Sequence, residues 1–314
     1  MLKTHELRFL VTQRCNFNCS FCHREGVQYN CEELLDASDY SYLYCVCLKN
    51  FGFSTVTITG GEPLLRADIN EILYSLHLCG ADVTLVSNGA LFQSCNMDYT
   101  YIRCLNVSLH SLDKNVFGEI TRQKLQRVSD IISSIEAVHS SNLQLRICIN
   151  YTLVKNINDK FADIISIIDF AKANHASIKF TEEFICNRIN GTFEKLHKYL
   201  LGRGYSVTAK NEMRVTFIDI SGHRIIYNKL VCAVSHQYGK RCDSCKNIGS
   251  IFLLPNGKIK PCMQNEKVLD ILEYIKQRDE KKIVNILELS FQMPNLLCKY
   301  NYAAVENEYI AQYA

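Results

Sequence analysis

Hydrophobic and polar residues alternate in six short stretches of the first 185 residues, and longer segments with helical spacing lie between them. Apolar residues at every second position predict half-buried strands, and apolar residues at i, i+3 and i+4 predict helices. The predicted strands are Leu7–Thr12, Thr55–Thr59, Asp82–Ser87, Cys104–Leu109, Gln144–Tyr151 and Ser177–Glu182. The predicted helices are Cys31–Asn50, Asp68–Cys79, Asp113–His139 and Lys160–Asn174, with Asp68 and Asp113 as N-caps. This alternation is typical of βα units around a parallel sheet.

Six βα units are two fewer than a closed (βα)8 barrel contains, so residues 1–185 are predicted to form a partial, open (βα)6 barrel. In this geometry, functional residues collect on the loops after the carboxyl ends of the strands. Beyond residue 185 the alternation stops, and residues 186–314 are predicted to form a small, irregular C-terminal module. Its predicted elements are strands Arg214–Ile220 and Arg224–Tyr227, a hairpin of Ser250–Leu254 and Lys258–Cys262 around Asn256-Gly257, and a helical tail over about Glu266–Phe291.

Composition and charge exclude several classes of protein. With 47% hydrophobic and 21% charged residues, the chain is neither disordered nor fibrous. A balance of 35 basic and 32 acidic residues lacks the basic excess expected of a protein that binds a nucleic acid polymer. No apolar run approaches the ~18 residues that span a bilayer, and the start lacks the pattern of a signal peptide. We therefore expect a cytoplasmic protein without membrane attachment.

Cysteine is unusually frequent, with 16 residues. In a reducing compartment such a number indicates metal or redox chemistry rather than disulfides. Seven cysteines stand among apolar residues and are expected to pack as small hydrophobic side chains: Cys45, Cys47, Cys79, Cys95, Cys104, Cys148 and Cys186. The isolated Cys31, Cys232 and Cys298 have no assigned role.

Three cysteines, Cys15, Cys19 and Cys22, follow the first predicted strand with C-x3-C-x2-C spacing. Converging thiolates bind zinc or an iron–sulfur cluster. A structural zinc ion would require a fourth ligand, for which the adjacent His23 is poorly placed, whereas a cubane cluster held by three cysteines leaves one iron open. The spacing resembles the cluster motif of the radical S-adenosylmethionine (SAM) superfamily. That resemblance implies a [4Fe-4S] cluster on these cysteines with SAM bound to its open iron.

A second motif, Gly60-Gly61-Glu62-Pro63, follows the second predicted strand. Glycines let the backbone approach a ligand closely, and a glutamate can accept hydrogen bonds from an amino group. The motif resembles the GGEP loop of the same superfamily, which implies that Gly60, Gly61 and Glu62 hold the amino group of SAM. Further polar residues after the next strands match superfamily positions in order, which implies SAM contacts by Ser87, Asn88, Ser108 and Asn150.

Cys242, Cys245 and Cys262 form a third constellation, because the Asn256-Gly257 turn brings Cys262 back toward the C-x2-C pair. A zinc site with Cys232 or His236 as fourth ligand is one interpretation. The segment also resembles the C-terminal motif of the GTP 3′,8-cyclase family, in which three cysteines hold a second [4Fe-4S] cluster that faces the substrate. That resemblance implies two clusters in this chain.

The resemblance to the cyclase family runs from about Leu7 to Cys262 and includes Arg8 and the strand Lys179-Phe180-Thr181-Glu182. The departures fall on positions that bind substrate in the family. Fixed arginines are the efficient ligands for a triphosphate, so these departures argue against GTP. The departing segments are Val56-Thr57, Cys148-Ile149-Asn150, Lys246-Asn247-Ile248-Gly249 and the C-terminal Gln312-Tyr313-Ala314.

The resemblance implies a radical SAM enzyme that cleaves SAM reductively to a 5′-deoxyadenosyl radical and abstracts hydrogen from a small-molecule or nucleotide substrate. Glu62 and Arg8 are its candidate catalytic residues, and flavodoxin or ferredoxin is the expected electron donor. For Arg8 and Arg66, a surface or ion-pair role is the alternative to substrate or SAM contact. Two other functions stay open: a peptide maturase with a shortened auxiliary-cluster domain, indicated by Gly257-x4-Cys262, and a noncatalytic iron–sulfur or zinc protein. The Glu62 loop argues against the latter.

Overall fold

The computed structural model of the protein describes residues 4–24, 27, 30–123, 127–141, 144–182, 192–210, 214–228, 248–262 and 267–296. The strands are β1 (Thr4–Thr12), β2 (Thr55–Gly60), β3 (Asp82–Ser87), β4 (Cys104–Ser108), β5 (Arg146–Leu153), β6 (Ser177–Glu182), β7 (Ser206–Lys210), β8 (Arg214–Ile218), β9 (Arg224–Asn228), β10 (Ile248–Leu253), β11 (Lys258–Lys260) and β12 (Leu269–Asp270). The helices are α1 (Ala37–Phe51), α2 (Ile69–Leu78), α3 (Lys114–Thr121), α4 (Arg127–Ser141), α5 (Phe161–Ala173), α6 (Thr192–Gly202), α7 (Leu272–Gln277) and α8 (Glu280–Leu296).

One sheet contains all of these strands, in the order β12-β11-β10-β1-β2-β3-β4-β5-β6-β9-β8-β7. Strands β1 to β6 are parallel neighbours in chain order, as the partial (βα)6 barrel requires. The sheet continues on both sides, because β10 pairs in parallel with β1 and β9 pairs in parallel with β6. The prediction of an α/β fold with a partial barrel is therefore confirmed.

The two faces of the sheet differ in polarity. Alternate strand residues such as Phe9, Ile58 and Ile149 enter one large apolar core with the helices. The intervening residues lie on the opposite face, which we call the inner face. It carries Arg8, Thr57, Thr84, Cys104, Asn106, Ser108, Cys148, Asn150 and Lys179. The core therefore fixes the scaffold, and the inner face is left for polar chemistry.

Several predicted helix boundaries were wrong, for identifiable reasons. The predicted helix Asp113–His139 is two helices, because Arg122 adopts a left-handed conformation (φ 55°) at the end of α3. Asp113 caps α3 as predicted, whereas Asp68 makes no capping hydrogen bond. Its carboxylate is instead bound by the Arg66 guanidinium at 2.6 Å. Helix α1 begins at Ala37, where Asp36 forms a capping box.

The C-terminal third is more regular than predicted. Helix α6 and strand β7 continue the alternation beyond residue 185. All residues of β7 are exposed, so hydrophobic alternation could not reveal it. The predicted hairpin is present as β10 and β11, with Gly257 at φ 75° in its turn. The predicted tail divides into a short strand and two helices, with Arg278 at φ 57° after α7.

Two structural findings concern the helices and the cysteines considered in the composition. Among the helices that the structure describes, none combines the length and apolar character needed to cross a bilayer. Cys47 and Cys148 are buried, as expected of small hydrophobic side chains. Cys45 is exposed, so its prediction was wrong, because helical spacing places it on the outer side of α1. Cys186, Cys232 and Cys298 lie outside the described residues.

Candidate active site

The three cysteines of the first motif lie on the loop after β1, which we call the cysteine loop (residues 15–22). The backbone of this loop is bound to the end of α3: Ser20 N donates to Ile120 O at 2.8 Å and Asn18 N donates to Thr121 O at 3.3 Å. Phe17 packs edge-on against Phe117 with 6.0 Å between ring centroids. The carboxyl end of a neighbouring helix therefore holds the loop in shape.

The thiols of the cysteine loop lie close enough to interact electrostatically. Burial, followed by the neighbouring Cys22 and Cys15, raises the pKa of Cys19 to about 12. Partial loss of water around its sulfur also raises the pKa of Cys15, although the residue as a whole is exposed. Such thiols ionise readily only beside a strong positive charge, which a bound metal centre supplies.

The donor set fits an iron–sulfur cluster better than a single ion. In the described part of the chain, no three or more His, Cys, Asp or Glu side chains form a site for one metal ion. A [4Fe-4S] cluster has no need of such convergence, because each thiolate binds a different iron. Cys15 and Cys22 are exposed and Cys19 is half-buried, so the three thiols are open to a bulky group.

The second motif lies directly beside the cysteine loop. Gly61 N donates to Thr12 O and Glu62 N donates to Arg14 O, both at 2.8 Å. A Cβ atom added to Gly60 would lie 2.1 Å from Thr12 O, and one added to Gly61 would lie 2.3 Å from Arg14 O. Only glycine permits this approach of the two backbones. In the structure, the glycines thus serve contact between the two loops, a role that the sequence alone did not indicate.

Glu62 is completely buried, and its carboxylate accepts three hydrogen bonds. Leu64 N and Ser87 Oγ donate to Oε1 at 3.1 and 2.8 Å, and Asn88 N donates to Oε2 at 2.7 Å. Burial raises the pKa of Glu62 to about 7, although these hydrogen bonds act in the opposite direction. The carboxylate therefore joins the loop after β2 to the loop after β3.

Asn88 completes the connection to the cysteine loop. Its Nδ2 donates to Asn16 Oδ1 at 2.7 Å and lies 3.9 Å from Cys15 Sγ. The loops after β1, β2 and β3 therefore form one hydrogen-bonded unit, which we call the three-loop network: Asn16, Glu62, Ser87 and Asn88. The sequence motifs predicted Glu62, Ser87 and Asn88 at one site, and the structure places them together. Asn16 was not predicted and is added by its hydrogen bond with Asn88.

The remaining candidate residues line the inner face. Ser108 and Asn150 are register partners at the carboxyl ends of β4 and β5. Asn150 Oδ1 is buried and makes no hydrogen bond with the part of the chain that the structure describes. Arg8 lies lower on the face, opposite Thr57, with its guanidinium carbon 5.9 Å from the ring centroid of Phe252.

Two buried polar residues support the site without having been predicted to do so. His110 Nδ1 accepts from Thr152 N at 3.0 Å, and its ring packs edge-on against Phe21 of the cysteine loop at 4.7 Å. Burial lowers the pKa of His110 to about 3, so its ring is neutral. Its polar position after a strand was the only signal in the sequence, and that signal does not reveal the contact with Phe21.

Arg66 is the second supporting residue. Its guanidinium donates to Val11 O at 2.7 Å and to Leu35 O at 2.6 Å, and it forms an ion pair with Asp68. Arg66 is 6% exposed, so of the alternatives for this residue the ion pair is confirmed and a surface position was wrong.

The third constellation is described only in part. Cys242 and Cys245 lie outside the described residues, as do Cys232 and His236. Cys262 is half-buried and follows β11. Lys260 of β11 is level with Phe252, which is level with Arg8. The chain then runs on toward the amino end of β1, so Cys262 and the cysteine loop lie toward opposite ends of that strand.

The chain belongs to the radical SAM superfamily, whose family model matches residues 9–171. Among curated proteins, it is 31% identical over 283 residues to the probable GTP 3′,8-cyclase of Sulfurisphaera tokodaii, covering 86% of this chain and 85% of the relative. It is 27% identical over 315 residues to GTP 3′,8-cyclase of Campylobacter jejuni (strain RM1221), covering 98% of this chain and 94% of the relative. The resemblance to this family of enzymes is confirmed.

Solved structures agree on the fold. Streptococcus suis SuiB bound to S-adenosylmethionine aligns with a TM-score of 0.66 and 16% identity, covering 98% of this chain and 69% of that chain. The protein anSMEcpe with bound AdoMet aligns with a TM-score of 0.51 and 12% identity, covering 91% and 84%. At these identities the likeness concerns the fold alone. The family model and the curated relatives show that the protein is an enzyme of the radical SAM class, and the solved structures show the expected scaffold.

Proposed function

We propose that this enzyme binds a [4Fe-4S] cluster through Cys15, Cys19 and Cys22 and uses SAM to abstract hydrogen from a small-molecule or nucleotide substrate. The three-loop network carries this proposal. It joins the cysteine loop to the loop of Gly60-Gly61-Glu62-Pro63, which we call the glycine loop. The joining hydrogen bonds, through Glu62 and Asn88, are 2.7 and 2.8 Å long. A purely structural metal site has no need of such a buried carboxylate.

Each residue of the network has a proposed task. A carboxylate has about four acceptor positions, of which internal donors use three at Glu62, so one position on Oε2 stays open to the amino group of SAM. Gly60 and Gly61 would let the backbone approach the amino group of SAM closely. Asn150 Oδ1 is buried without a partner in the described structure and would bind the ribose, with Ser108 beside it. Bound together, the cluster and SAM supply a radical that removes hydrogen from carbon.

The substrate would lie on the inner face of the barrel, below the SAM contacts. Arg8 and Lys179 project onto this face and supply positive charge. Thr57 and Cys148 occupy positions where the cyclase family carries basic residues. These two positions therefore supply no charge for a triphosphate, although Arg146 and Arg224 lie deeper in the barrel near Cys104. This supports either a less charged substrate or phosphate ligands at other positions of the chain.

A second [4Fe-4S] cluster on Cys242, Cys245 and Cys262 is part of the proposal, as is the division into a barrel (residues 1–185) and a C-terminal module (residues 186–314). Cys262 lies toward the amino end of β1, whereas the cysteine loop follows its carboxyl end. The inner face runs between these ends, so a substrate there would be accessible to both clusters. The reducing electron would come from flavodoxin or ferredoxin in the cytoplasm.

The experiment that tests the proposal measures 5′-deoxyadenosine by mass spectrometry. Protein reconstituted anaerobically with iron and sulfide is incubated with SAM and a reductant, with and without GTP. Formation that depends on GTP, with a rearranged GTP product, identifies a cyclase. Slow formation independent of GTP supports the radical SAM site and a different substrate.

Two other outcomes separate the alternative functions. Stimulation of SAM cleavage by a peptide, but not by GTP or nucleosides, would identify a peptide maturase. Absence of SAM cleavage in protein that holds its full iron content would contradict the proposal and favour a noncatalytic iron–sulfur protein.

A further inference from the structure

Two thiols lie on the inner face of the barrel. On β5, Ile147, Ile149 and Tyr151 belong to the apolar core, so Cys148 and Asn150 lie on the opposite face. On β4, Leu105 and Val107 belong to the core, which places Cys104, Asn106 and Ser108 on the inner face. Neither thiol belongs to a cluster motif, and packing as a small hydrophobic side chain is the only role that the sequence predicted for them.

The register fixes the depth of each thiol below the proposed SAM contacts. Ser108 is paired with Asn150, and Asn106 is paired with Cys148. Because residues two apart on a strand are ~7 Å apart, Cys148 lies about 7 Å below the layer of Ser108 and Asn150. Cys104 lies one further layer down and is the diagonal neighbour of Cys148. Cys148 is thus the nearer thiol.

Unlike the thiols of the cysteine loop, these two thiols have no proposed metal centre beside them. Cys104 Sγ lies 3.4 Å from Asn106 Oδ1, to which it donates. Burial, with a smaller contribution from the neighbouring Cys148, raises the pKa of Cys104 to about 11. Cys148 is 7% exposed, and its Sγ lies 4.0 Å from Ile149 O. In general, a protonated thiol is a poor nucleophile and a poor metal ligand, but its S–H bond is weak.

Apart from Cys104 in the next layer down, the neighbouring side chains named here have no X–H bond as weak as that of Cys148. In the described part of the inner face, Thr57, Thr84 and Ser108 carry hydroxyl groups, whose O–H bonds are much stronger than the S–H bond of a thiol. Asn150 Oδ1, two residues from Cys148, is buried and unpartnered in the described structure, which indicates a ligand directly above the thiol. The S–H bond of Cys148 is therefore the weakest X–H bond of the described side chains in the layer below that ligand.

We propose that Cys148 is a hydrogen-atom donor to a carbon-centred radical held on the inner face. This inference rests on the proposed function and adds a substrate class to it: a small molecule that is rearranged or epimerised without net oxidation.

The step balances as follows. The S–H bond of Cys148 breaks homolytically, and a C–H bond forms at the radical carbon. The sulfur is left as a thiyl radical. One electron from the low-potential donor of the enzyme and one proton from solvent then restore the thiol. The hydrogen delivered to carbon therefore originates from water.

SAM itself is the probe that tests this inference, since no substrate is required. Reconstituted full-length protein is exchanged into D2O, which converts the thiol to S–D, and is reduced with titanium(III) citrate in the presence of SAM. In the absence of substrate, the nearest weak bond quenches the 5′-deoxyadenosyl radical. We expect singly deuterated 5′-deoxyadenosine, quantified by mass spectrometry as the labelled fraction of the 5′-deoxyadenosine formed.

In Cys148→Ser the labelled fraction should fall about tenfold or more, because replacing S–H by O–H raises the barrier to hydrogen transfer. Cys148→Ala should show the same loss. Cys104→Ser should retain most of the label because it lies one layer deeper. The exposed Cys45→Ser on α1 is the control for removal of a thiol elsewhere. The electron paramagnetic resonance spectrum of the reduced cluster, with and without SAM, verifies that each variant keeps its cluster and SAM site.

The outcomes separate this inference from the function on which it rests. A labelled fraction that is unchanged in Cys148→Ser and Cys148→Ala overturns the inference, while 5′-deoxyadenosine formation still supports the proposed function. Equal loss of label in Cys104→Ser overturns the assignment to Cys148. If no variant and no parent protein forms 5′-deoxyadenosine, both proposals fail.

Discussion

Glu62 and Arg66 are both buried charged residues, and their surroundings assign them different tasks. Glu62 accepts hydrogen bonds from two loops that carry proposed SAM contacts. Arg66 instead binds the backbone carbonyls of Val11 and Leu35 and the carboxylate of Asp68. The sequence predicted that Glu62 belongs to the site, because its motif is distinctive. It could not assign Arg66, since a guanidinium can serve a ligand or the fold equally well.

The buried carboxyl of Glu62 predicts a pH dependence of folding. Burial raises its pKa to about 7 from an ordinary value of 4.5. The folded protein therefore binds more protons than the unfolded chain between these values, so its free energy of unfolding falls as pH rises from 4.5 to 7. We expect this group to account for about 3 kcal/mol over that range in iron-free protein.

Urea denaturation of Glu62→Gln and of the parent protein at pH 4.5 and 7.5 measures this contribution. The variant should gain stability relative to the parent as pH rises, because its amide does not titrate. Glu71→Gln, at an exposed position of α2, is the matched control for removal of a carboxyl group outside the site. A stability difference between Glu62→Gln and the parent that does not change with pH would contradict a raised pKa of Glu62.

The close backbone contact at Gly61 predicts that one added methyl group strongly weakens SAM binding. A Cβ atom at this position would lie 2.3 Å from Arg14 O, so Gly61→Ala must separate the glycine loop from the cysteine loop. We expect loss of SAM binding by more than about tenfold, since the hydrogen bond from Glu62 N to Arg14 O is lost with the contact. Equilibrium binding of SAM to reconstituted protein measures this. Gly202→Ala, where a Cβ meets open space and the backbone is not left-handed, is the control for a glycine outside the site. SAM affinity equal to that of the parent would contradict the assigned role of Gly61.

At the scale of elements, strands were easier to predict than helix ends. Strands β2, β3 and β6 match their predicted bounds to within one residue, because alternation of buried and half-buried residues is strong there. The break after α3 has no equivalent signal, because Arg122 is an ordinary residue in a left-handed conformation. That break matters for function, since Ile120 and Thr121 hold the cysteine loop. Motifs thus revealed which residues form the site but not which element supports them.

The contact between α1 and α7 predicts a stability effect outside the site. Asp39 is 1% exposed and accepts hydrogen bonds from Lys276 and Arg278, the latter at 2.9 Å. Asp39→Ala removes both of these bonds, leaving Lys276 with Asp36 at 3.7 Å and Arg278 with Ser38 Oγ at 2.8 Å. It also removes part of the capping box of α1. We expect a loss of about 2 kcal/mol in the free energy of unfolding, measured by urea denaturation. Glu288→Ala, exposed on α8, should change it by less than about 0.5 kcal/mol. Equal effects of the two variants would show that the contact contributes nothing to folding.

For the whole molecule, the central feature is a sheet whose strand β1 has a proposed metal centre toward each end. The sequence predicted the barrel and both cysteine sets, because their spacing is distinctive. It could not predict that β10 pairs with β1, which is a contact between residues about 240 apart in the chain. Because of that pairing, β11 lies one strand away from β1, and the chain from β11 to Cys262 runs toward the amino end of β1.

The two-centre arrangement predicts the iron content of the protein. Reconstituted parent protein should hold about eight irons per chain, and Cys262→Ala should hold about four, because each [4Fe-4S] cluster carries four. Iron and sulfide assays measure this. Cys95→Ala is the control for removal of a half-buried cysteine outside the motifs. Four irons in the parent, unchanged in Cys262→Ala, would contradict a second cluster.

The most direct test of the central claim is reductive cleavage of SAM by Cys19→Ala. The account predicts that the parent protein, reconstituted anaerobically and reduced, forms 5′-deoxyadenosine, whereas the variant forms none and still holds the iron of the second site. 5′-Deoxyadenosine formation by the variant at the rate of the parent would contradict the assignment of the cysteine loop as the place where SAM is cleaved.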